Sequence, residues 1–239
     1  MHPLSGQTIV FLPGIDGTGV SFEPLAKVLP PDIIVKVIRY PTDRLLSFEE
    51  TVQCARDQIQ SDQKDLIVLA ESFSGPVAIA LAGSRQLKAK CLVLCATFAR
   101  SPRPALLKLL NYFPLELLLK LPVPRFLLKQ VVAGDKEATD VFLSMWARVK
   151  TMVPPKVLIH RLKVISQVDV REWLPKVTIP CCYIQATCDR AVPSSCLFDF
   201  TEAVFDLRVR RIGGPHYILQ AQPQACLSAV ENFVALISR

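Results

Sequence analysis

Apolar positions along this chain fall into short runs, and stretches with helical spacing lie between them. Strand-forming runs occur near residues 8–12, 33–39, 66–70, 91–96, 180–186 and 207–212. Helical patterns occur near residues 21–29, 47–61, 74–84, 196–204 and 221–237. Such alternation predicts an α/β domain in which helices cover both faces of a mostly parallel sheet.

One run joins a buried strand to a helix through a serine. Four strand formers at 66–69 lead to Ala70 and then to Ser72, and a buried helical pattern begins directly afterwards. Small residues on both sides of such a serine let the strand and helix backbones approach closely, which exposes the hydroxyl at a sharp turn. Glycine usually fills these places; here Ala70 and Ser74 take them, with Gly75 one residue later. A turn serine can have the same short pattern, so the flanking strand and helix are what favour a nucleophile.

A nucleophilic serine needs a base, and histidine is the usual one near neutral pH. The chain has three histidines, His2, His160 and His216. His2 is next to the first residue of the sequence, and His160 lies in a helical pattern, which favours a surface or partly buried role. His216 follows a predicted strand and a Gly-Gly-Pro loop of unusual geometry, so we predict that it is the base.

Asp189 is the predicted carboxylate that orients this histidine. It lies just past the apolar strand pattern that ends near residue 186, where the catalytic groups of an open parallel sheet collect. A turn-forming or helix-capping aspartate is the alternative. The chain order Ser72, Asp189, His216 is that of the α/β-hydrolases and differs from that of chymotrypsin-like and subtilisin-like enzymes.

A glycine-containing loop at residues 13–19 follows the first predicted strand. In a hydrolase this loop gives one backbone N–H to the developing oxyanion, and the residue after the nucleophile gives the other. Here those donors would be Ile15 and Phe73. A phosphate-binding loop is the alternative, which we disfavour because the spacing is G-x-x-G-x-G and the lysine of a P-loop is missing.

With these motifs the chain resembles α/β-hydrolase-fold esterases of the lipase/acyltransferase-like group. It is similar in particular to bacterial esterases and plastid acyltransferase-like proteins with an LPGxDGTG loop and an ESFSG elbow. The resemblance spans nearly the whole chain; the matching positions are 12–19, 71–75, Asp189 with Val192 and Pro193, and 213–216 with Gln220 and Pro223. One departure is Pro13, where many relatives have histidine. The oxyanion donor is a backbone N–H, so we expect catalysis to persist and the support of the loop to differ.

The segment at about 101–167 does not follow the alternation of strands and helices. In this fold such an insertion usually forms a cap, so we divide one domain of residues 1–239 into a core (1–100 and 168–239) and a helical cap. The first half of the segment is rich in leucine and broken by prolines, and residues 101–130 hold five basic groups against one acidic group. A helical hairpin packed on the core is the alternative. Contact of the cap with anionic membrane is a further interpretation, which we do not favour.

The 239 residues carry a formal net charge of +7, and 51% of them are hydrophobic. No apolar run reaches the roughly 20 residues of a membrane span, and no basic segment precedes an apolar stretch near residue 1. We therefore expect a cytoplasmic location. The basic run at 208–211 alternates like an exposed strand, which favours a solvated sheet edge over a nucleic-acid site.

Most of the eight cysteines fall inside apolar patterns, which is typical of reduced, buried thiols. Cys188, beside Asp189, is the exception, and we expect it to be accessible. No C-x-x-C pair is present, so neither a zinc nor a redox site is predicted. We expect no metal and no cofactor.

The sequence thus predicts a serine carboxylic ester hydrolase that uses an acyl-enzyme and acts on small acyl esters of short to medium chain length. We predict that Gly14, Asp16 and Glu71 are supporting residues of the site. Glu71 would buttress the elbow, while Asp16 would brace the oxyanion loop or serve as an ordinary turn residue. One alternative is acyl transfer to an alcohol by the same residues. The other, from a different class, is a non-catalytic binding protein with this fold.

Overall fold

Six of the apolar runs form a single sheet in the computed structural model, which describes residues 3–59, 66–110, 116 and 136–238. The strands are β1 Thr8–Leu12, β2 Ile34–Val37, β3 Leu66–Glu71, β4 Cys91–Cys95, β5 Cys181–Ala186 and β6 Leu207–Ile212. Their order is β2-β1-β3-β4-β5-β6, and every neighbouring pair is parallel. The predicted strands are therefore present, and β2 is shorter than the pattern at 33–39 indicated.

The α-helices of the described residues largely follow the predicted positions. They are α1 Glu23–Ala26, α2 Phe48–Ile59, α3 Ser74–Gly83, α4 Pro104–Leu110, α5 Lys136–Met152, α6 Pro155–Gln167, α7 Cys196–Ala203, α8 Ile218–Ala221 and α9 Pro223–Ile237. The helix predicted at 21–29 is instead a 3-10 turn at Val20–Phe22 followed by the short α1. The helix predicted at 221–237 begins at Pro223, whose fixed φ suits the first turn.

Strand residues alternate between two buried faces of the sheet, and β3 is buried at all six positions. Val68 and Ala70 face the core that α2 and α3 cover, whereas Ile67 and Leu69 face the core that α9 covers. All ten residues of α3 are buried, which explains why its sequence lacks a polar stripe. The helix behind the serine turn is therefore held on every side.

Because all six strands are parallel, the loops that follow β1, β3, β5 and β6 lie at the same end of the sheet, the end where the strands finish. The chain leaves β1 toward β2 on one side and returns to pair β3 on the other, with Leu12 beside Ala70. At the far side of the strand order from β2, the last residues of β5 and β6, Ala186 and Ile212, lie beside each other. Ligands of open α/β sheets bind outside the carboxyl ends of the strands, where the strand order reverses.

The edge strand β6 has two exposed residues, Arg208 and Arg211, and its other four residues are half-buried. Between β4 and β5, the described residues of the insertion form α4, α5 and α6. The second half of the leucine-rich stretch, with Lys120, Arg125 and Lys129, lies outside the described residues, as does His2. Among the helices that are described, none is both long and apolar enough to span a bilayer.

Candidate active site

Ser72 occupies the sharp turn between β3 and α3. Its φ of 47° is in the left-handed region, which costs free energy for a residue with a side chain. Three hydrogen bonds hold the turn: the Ser72 N–H donates to Cys95 O at 2.9 Å, and its carbonyl accepts from the Gly75 N–H at 3.0 Å and from the Thr97 hydroxyl. The strained turn is thus fixed by β4 and by the start of α3.

Around this turn, Ala70 and Ser74 stand where glycine is usual, and Gly75 follows. A Cβ at position 75 would lie 1.9 Å from the Thr97 Oγ1, so the close approach that requires glycine is at Gly75. The Ser74 hydroxyl, at a position where glycine is usual, donates to the carbonyl of Pro13. It also lies 2.7 Å from the Tyr40 hydroxyl, which donates to it. Ser74 therefore connects the serine turn to the loop after β1.

His216 and Asp189 lie beside Ser72, although the sequence separates them widely. The Ser72 Oγ is 2.9 Å from the His216 Nε2, and the His216 Nδ1 is 2.7 Å from the Asp189 Oδ2. The other Asp189 oxygen accepts from the N–H groups of Ala191 and Val192, each at 2.8 Å. With its proton on Nδ1, the imidazole presents the Nε2 lone pair to the serine hydroxyl, the geometry that a serine nucleophile requires.

The charge state of His216 depends on two opposing effects. Burial lowers the pKa of the ring, but the hydrogen bond and negative charge of Asp189, with a smaller contribution from Glu71, outweigh burial. The pKa of His216 is therefore raised above its usual value. Its protonated form is stabilised, which is what a proton acceptor in a reaction needs.

Glu71 is buried beneath the turn, and its carboxylate bonds to the framework. One oxygen accepts from the Ser21 hydroxyl at 3.0 Å, and the other accepts from the Gln220 Nε2 at 2.9 Å. Gln220 donates further to the Ser21 carbonyl at 2.9 Å. Burial raises the pKa of the Glu71 carboxyl, against the effect of these bonds. The network ties the end of β3 to the 3-10 turn after β1 and to α8.

The 14–19 loop is held by the side chain of Asp16. This carboxylate accepts from the Thr18 N–H at 2.8 Å, the Gly19 N–H at 3.2 Å and the Thr18 hydroxyl. Within the described part of the chain, no hydrogen bond occupies the backbone N–H of Ile15 or Phe73. Neither predicted donor is therefore paired with a protein acceptor among these residues.

A cavity of about 620 Å³ opens over the Ser72 hydroxyl and the His216 ring, within the range of small-molecule sites. Most of its wall is apolar, and α4 and α6 of the insertion contribute Leu106, Leu107, Leu162 and Ile165. The remaining lining residues are Ile15, Phe98, Pro102, Arg103, Arg190, Ala191 and Val192. A second cavity of about 680 Å³ lies between α1 and α5, and Ser72 and His216 are not among its lining residues.

The other singled-out residues lie away from this cavity or serve the framework. The His160 Nε2 lies 2.9 Å from the carbonyl of Leu46, a structural contact. All eight cysteines are free, and Cys188 is exposed. Burial raises the pKa of Cys91 and of Cys182 to about 12 each, as for thiols in a core. Within the residues that the structure describes, no cluster of three His, Cys, Asp or Glu side chains could hold a metal ion.

Several residues at the site were not singled out from the sequence: Ser21, Tyr40, Thr97 and Arg161. For Arg161 a signal exists, because it lies four residues after Val157 and four before Ile165. All three are buried on one face of α6. A charged residue on an apolar helical stripe indicates a buried partner. For Thr97 and Tyr40 the contacts are made across distant parts of the chain, and their local sequence carries no such sign.

Known proteins are similar to this chain in part of its sequence and in its fold. No protein-family model matches the chain. Over 123 residues, which is 48% of the chain, the sequence is 31% identical to the chloroplastic phytyl ester synthase 1 of Arabidopsis thaliana, and the match spans only 18% of that relative.

Two solved structures resemble the chain over nearly its whole length. An enol-lactonase from Burkholderia xenovorans is 18% identical with a TM-score of 0.75, covering 97% of this chain and 92% of the other. An esterase from Exiguobacterium antarcticum is 13% identical with a TM-score of 0.79, with the same coverage of 97% and 92%. The six-stranded sheet and these similarities show the α/β-hydrolase fold, which confirms the predicted fold class.

Proposed function

We propose that this protein is a serine carboxylic ester hydrolase. The observation that carries the proposal is the connected set of Ser72, His216 and Asp189, with Oγ to Nε2 at 2.9 Å and Nδ1 to Oδ2 at 2.7 Å. Ser72 and His216 line an apolar cavity together with Ile15, and Phe73 directly follows Ser72 in the sequence. The chain order serine, aspartate, histidine, which is that of the α/β-hydrolases, also supports the assignment, because a binding protein has no need of all three residues.

In the proposed mechanism, the Ser72 Oγ attacks the carbonyl carbon of a bound ester while His216 accepts the hydroxyl proton. Asp189 holds the imidazole tautomer and stabilises the imidazolium that forms. The carbonyl oxygen becomes an oxyanion, for which the backbone N–H groups of Phe73 and Ile15 are the proposed donors. Collapse of this intermediate breaks the bond to the alcohol, which leaves with the proton from His216.

Deacylation repeats these steps with water. His216 takes a proton from the water that attacks the acyl-Ser72 carbonyl, and the acid leaves as the Ser72 hydroxyl is restored. The apolar walls from α4 and α6 support an acyl group as the part of the substrate that enters the cavity. We therefore also propose that the insertion at about 101–167 acts as a cap, with esters of short to medium chain length as substrates.

The test is hydrolysis of p-nitrophenyl esters from acetate to palmitate by the wild type and by Ser72→Ala. We expect kcat to fall by on the order of 10⁶-fold in the variant, because no other group replaces the nucleophile. Ser84→Ala is the matched control, since Ser84 directly follows α3 and its hydroxyl donates to the carbonyl of Leu81. A fluorophosphonate should label the wild type and leave Ser72→Ala unlabelled. Equal ester hydrolysis by the wild type and Ser72→Ala would rule the assignment out, and a folded but unlabelled wild type would favour a binding protein.

Acyl transfer to an alcohol is a second candidate, supported by the partial similarity to the phytyl ester synthase. The same residues would serve, with an alcohol in place of water at deacylation. Adding a long-chain alcohol to the ester assay and separating free acid from new ester measures the partition directly. New ester in excess over acid would favour the transferase.

A further inference from the structure

Arg161 is a buried arginine that the proposed reaction does not use. It lies on α6 of the insertion and is 5% exposed. Burying a guanidinium costs free energy unless its N–H groups are satisfied. Burial lowers the pKa of Arg161, and the nearby Asp16 carboxylate acts in the opposite direction. A charge kept in such a place needs a specific set of partners.

Those partners are backbone carbonyls, two of them in the 14–19 loop. The Arg161 Nη1 donates to Ile15 O at 2.9 Å and to Asp16 O at 2.7 Å, while Nη2 donates to Pro41 O at 2.9 Å. The guanidinium also lies 5.9 Å from the centre of the Tyr40 ring. The planar fork of arginine can satisfy three carbonyls at once, which a lysine ammonium cannot do in the same geometry.

The loop is shaped around this guanidinium. Gly17 has a φ of +67°, and a Cβ there would lie 2.4 Å from the Arg161 Nη1. Its carbonyl accepts from the Tyr40 N–H at 2.8 Å. Within the loop, the Asp16 side chain holds Thr18 and Gly19. The loop is therefore held from within by the Asp16 side chain, at Thr18 and Gly19, and from the insertion by Arg161, at the carbonyls of Ile15 and Asp16.

The Ile15 N–H shares a peptide plane with the Gly14 carbonyl, next to the plane of the Ile15 carbonyl that Arg161 holds. Arg161 therefore restrains this N–H through the dihedral angles of Ile15. Residues 14–17 belong to neither a strand nor a helix, and the Gly17 N–H donates to the Gly14 carbonyl at 3.1 Å, which closes a turn around Ile15 and Asp16. Leu162, the next residue of α6, lines the cavity together with Ile15 and Ser72. The same turn of α6 thus forms part of the cavity wall and holds the loop.

We propose that Arg161 is a positioning residue that aligns the Ile15 N–H toward the oxyanion, so that the insertion completes the catalytic site of the core. This inference rests on the ester hydrolase function proposed above. It assigns the insertion a part in stabilising the transition state, beyond the binding of an acyl chain. Arg161 itself does not touch the substrate, because its guanidinium is occupied by the three carbonyls.

The test compares Arg161→Met and Arg161→Lys with the wild type, and uses Arg148→Met as the matched control. Arg148 also lies on the insertion, in α5, but forms an exposed ion pair with Glu23. We expect Arg161→Met to lower kcat by about 10²-fold at nearly constant KM, as for a misaligned oxyanion donor. Arg161→Lys should lie between Arg161→Met and the wild type, and Arg148→Met should match the wild type.

A second readout reports on the oxyanion alone. A trifluoromethyl ketone adds to Ser72: the Oγ–carbon bond forms, the carbonyl π bond becomes an oxyanion, and the serine proton moves to His216. The pKa of the resulting hemiketal hydroxyl, followed by ¹⁹F NMR, is low when the oxyanion is well solvated by donors. We expect it to be about one unit or more higher in Arg161→Met than in the wild type. A purely structural role would lower the melting temperature and leave this pKa unchanged.

The outcomes separate the two proposals. If the wild type forms the adduct and both Arg161 variants keep its kcat and hemiketal pKa, the positioning role is wrong and the hydrolase function stands. If the folded wild type forms no adduct and hydrolyses no ester, the hydrolase function is wrong and this inference falls with it. Should Arg161→Met fail to fold, the same comparison with Arg161→Lys, which keeps the buried charge, decides the positioning role.

Discussion

The hydroxyl of Ser74 donates a hydrogen bond to the carbonyl of Pro13 and so links the start of α3 to the loop after β1. Many serine turns of this type have glycine at the position of Ser74 and could not make this contact. The Tyr40 hydroxyl donates to the hydroxyl oxygen of Ser74 at 2.7 Å. The turn at Ser72 and the loop after β1 are therefore joined through one buried side chain.

Replacing Ser74 by alanine is expected to destabilise the fold. The change leaves the Pro13 carbonyl and the Tyr40 hydroxyl buried without this partner, which costs about 1–3 kcal/mol in free energy of unfolding. Urea unfolding measures the loss, and Ser84→Ala at the other end of α3 is the control. In a double-mutant cycle, Tyr40→Phe should cost less in the Ser74→Ala background than in the wild type. Additive effects would contradict the link.

The sequence was sufficient for the fold and for bringing the site together. Alternating buried strands and helices specified the sheet, and the turns after β3, β5 and β6 carried Ser72, Asp189 and His216 to its carboxyl edge. These features follow from local patterns and chain order. These three residues meet because parallel strands place all the loops that follow them on the same side of the sheet.

The supports of the site were not predictable in the same way. Arg161 contacts Ile15 across 146 positions, and nothing in the local pattern of residues 14–19 indicates an arginine partner. The local sequence shows Ser74 only as a residue in the usual place of glycine, because its bond to the Pro13 carbonyl depends on how β1 and α3 pack. Periodicity marks Arg161 as buried on α6, but the identity of its partners depends on tertiary geometry, which periodicity does not encode.

The pH dependence of hydrolysis should report the raised pKa of His216. Only the neutral imidazole accepts the serine proton, so kcat/KM should rise with pH through the pKa of the free enzyme. Because Asp189 raises that pKa, we expect the acid limb at a higher pH than the usual value of about 6.5. Stopped-flow or plate assays of a soluble ester across the pH range measure this limb.

Asp189→Asn tests the cause of that shift. The variant lacks the negative charge, so burial should dominate and move the acid limb of the residual activity to lower pH. The rate should fall by about 10⁴-fold, because the imidazole loses its tautomer and its charge partner. Asp206→Asn, which affects an exposed pair with Arg208, is the control. An unmoved limb in Asp189→Asn would show that another group sets it.

The buried Glu71 should make stability depend on pH. Its pKa is raised by burial in the folded state, so the folded protein binds this proton more tightly than the unfolded chain. That contribution is complete below the unfolded pKa and is lost as pH rises through the folded pKa. Glu71→Gln keeps the bond from Gln220, and the Ser21 hydroxyl can turn to accept from the amide.

We therefore expect Glu71→Gln to gain stability relative to the wild type as pH rises. Urea midpoints of both proteins between about pH 4 and pH 9 give the difference directly. Glu49→Gln, at an exposed position of α2, is the control and should follow the wild type. Parallel curves for Glu71→Gln and the wild type would mean that Glu71 does not gain a proton on folding.

The side chains of α6 that line the cavity should limit the length of acyl chain that the cavity accepts. Leu162 lines the cavity of about 620 Å³, and a tryptophan there would occupy part of that volume. We expect Leu162→Trp to keep activity on the acetate ester and to lower kcat/KM for long-chain esters by about tenfold or more, because excluded methylenes lose their apolar contacts. Leu236→Trp, on an exposed position of α9, is the control. A chain-length profile that stays unchanged in Leu162→Trp would mean that the acyl group lies elsewhere, against the proposed cap.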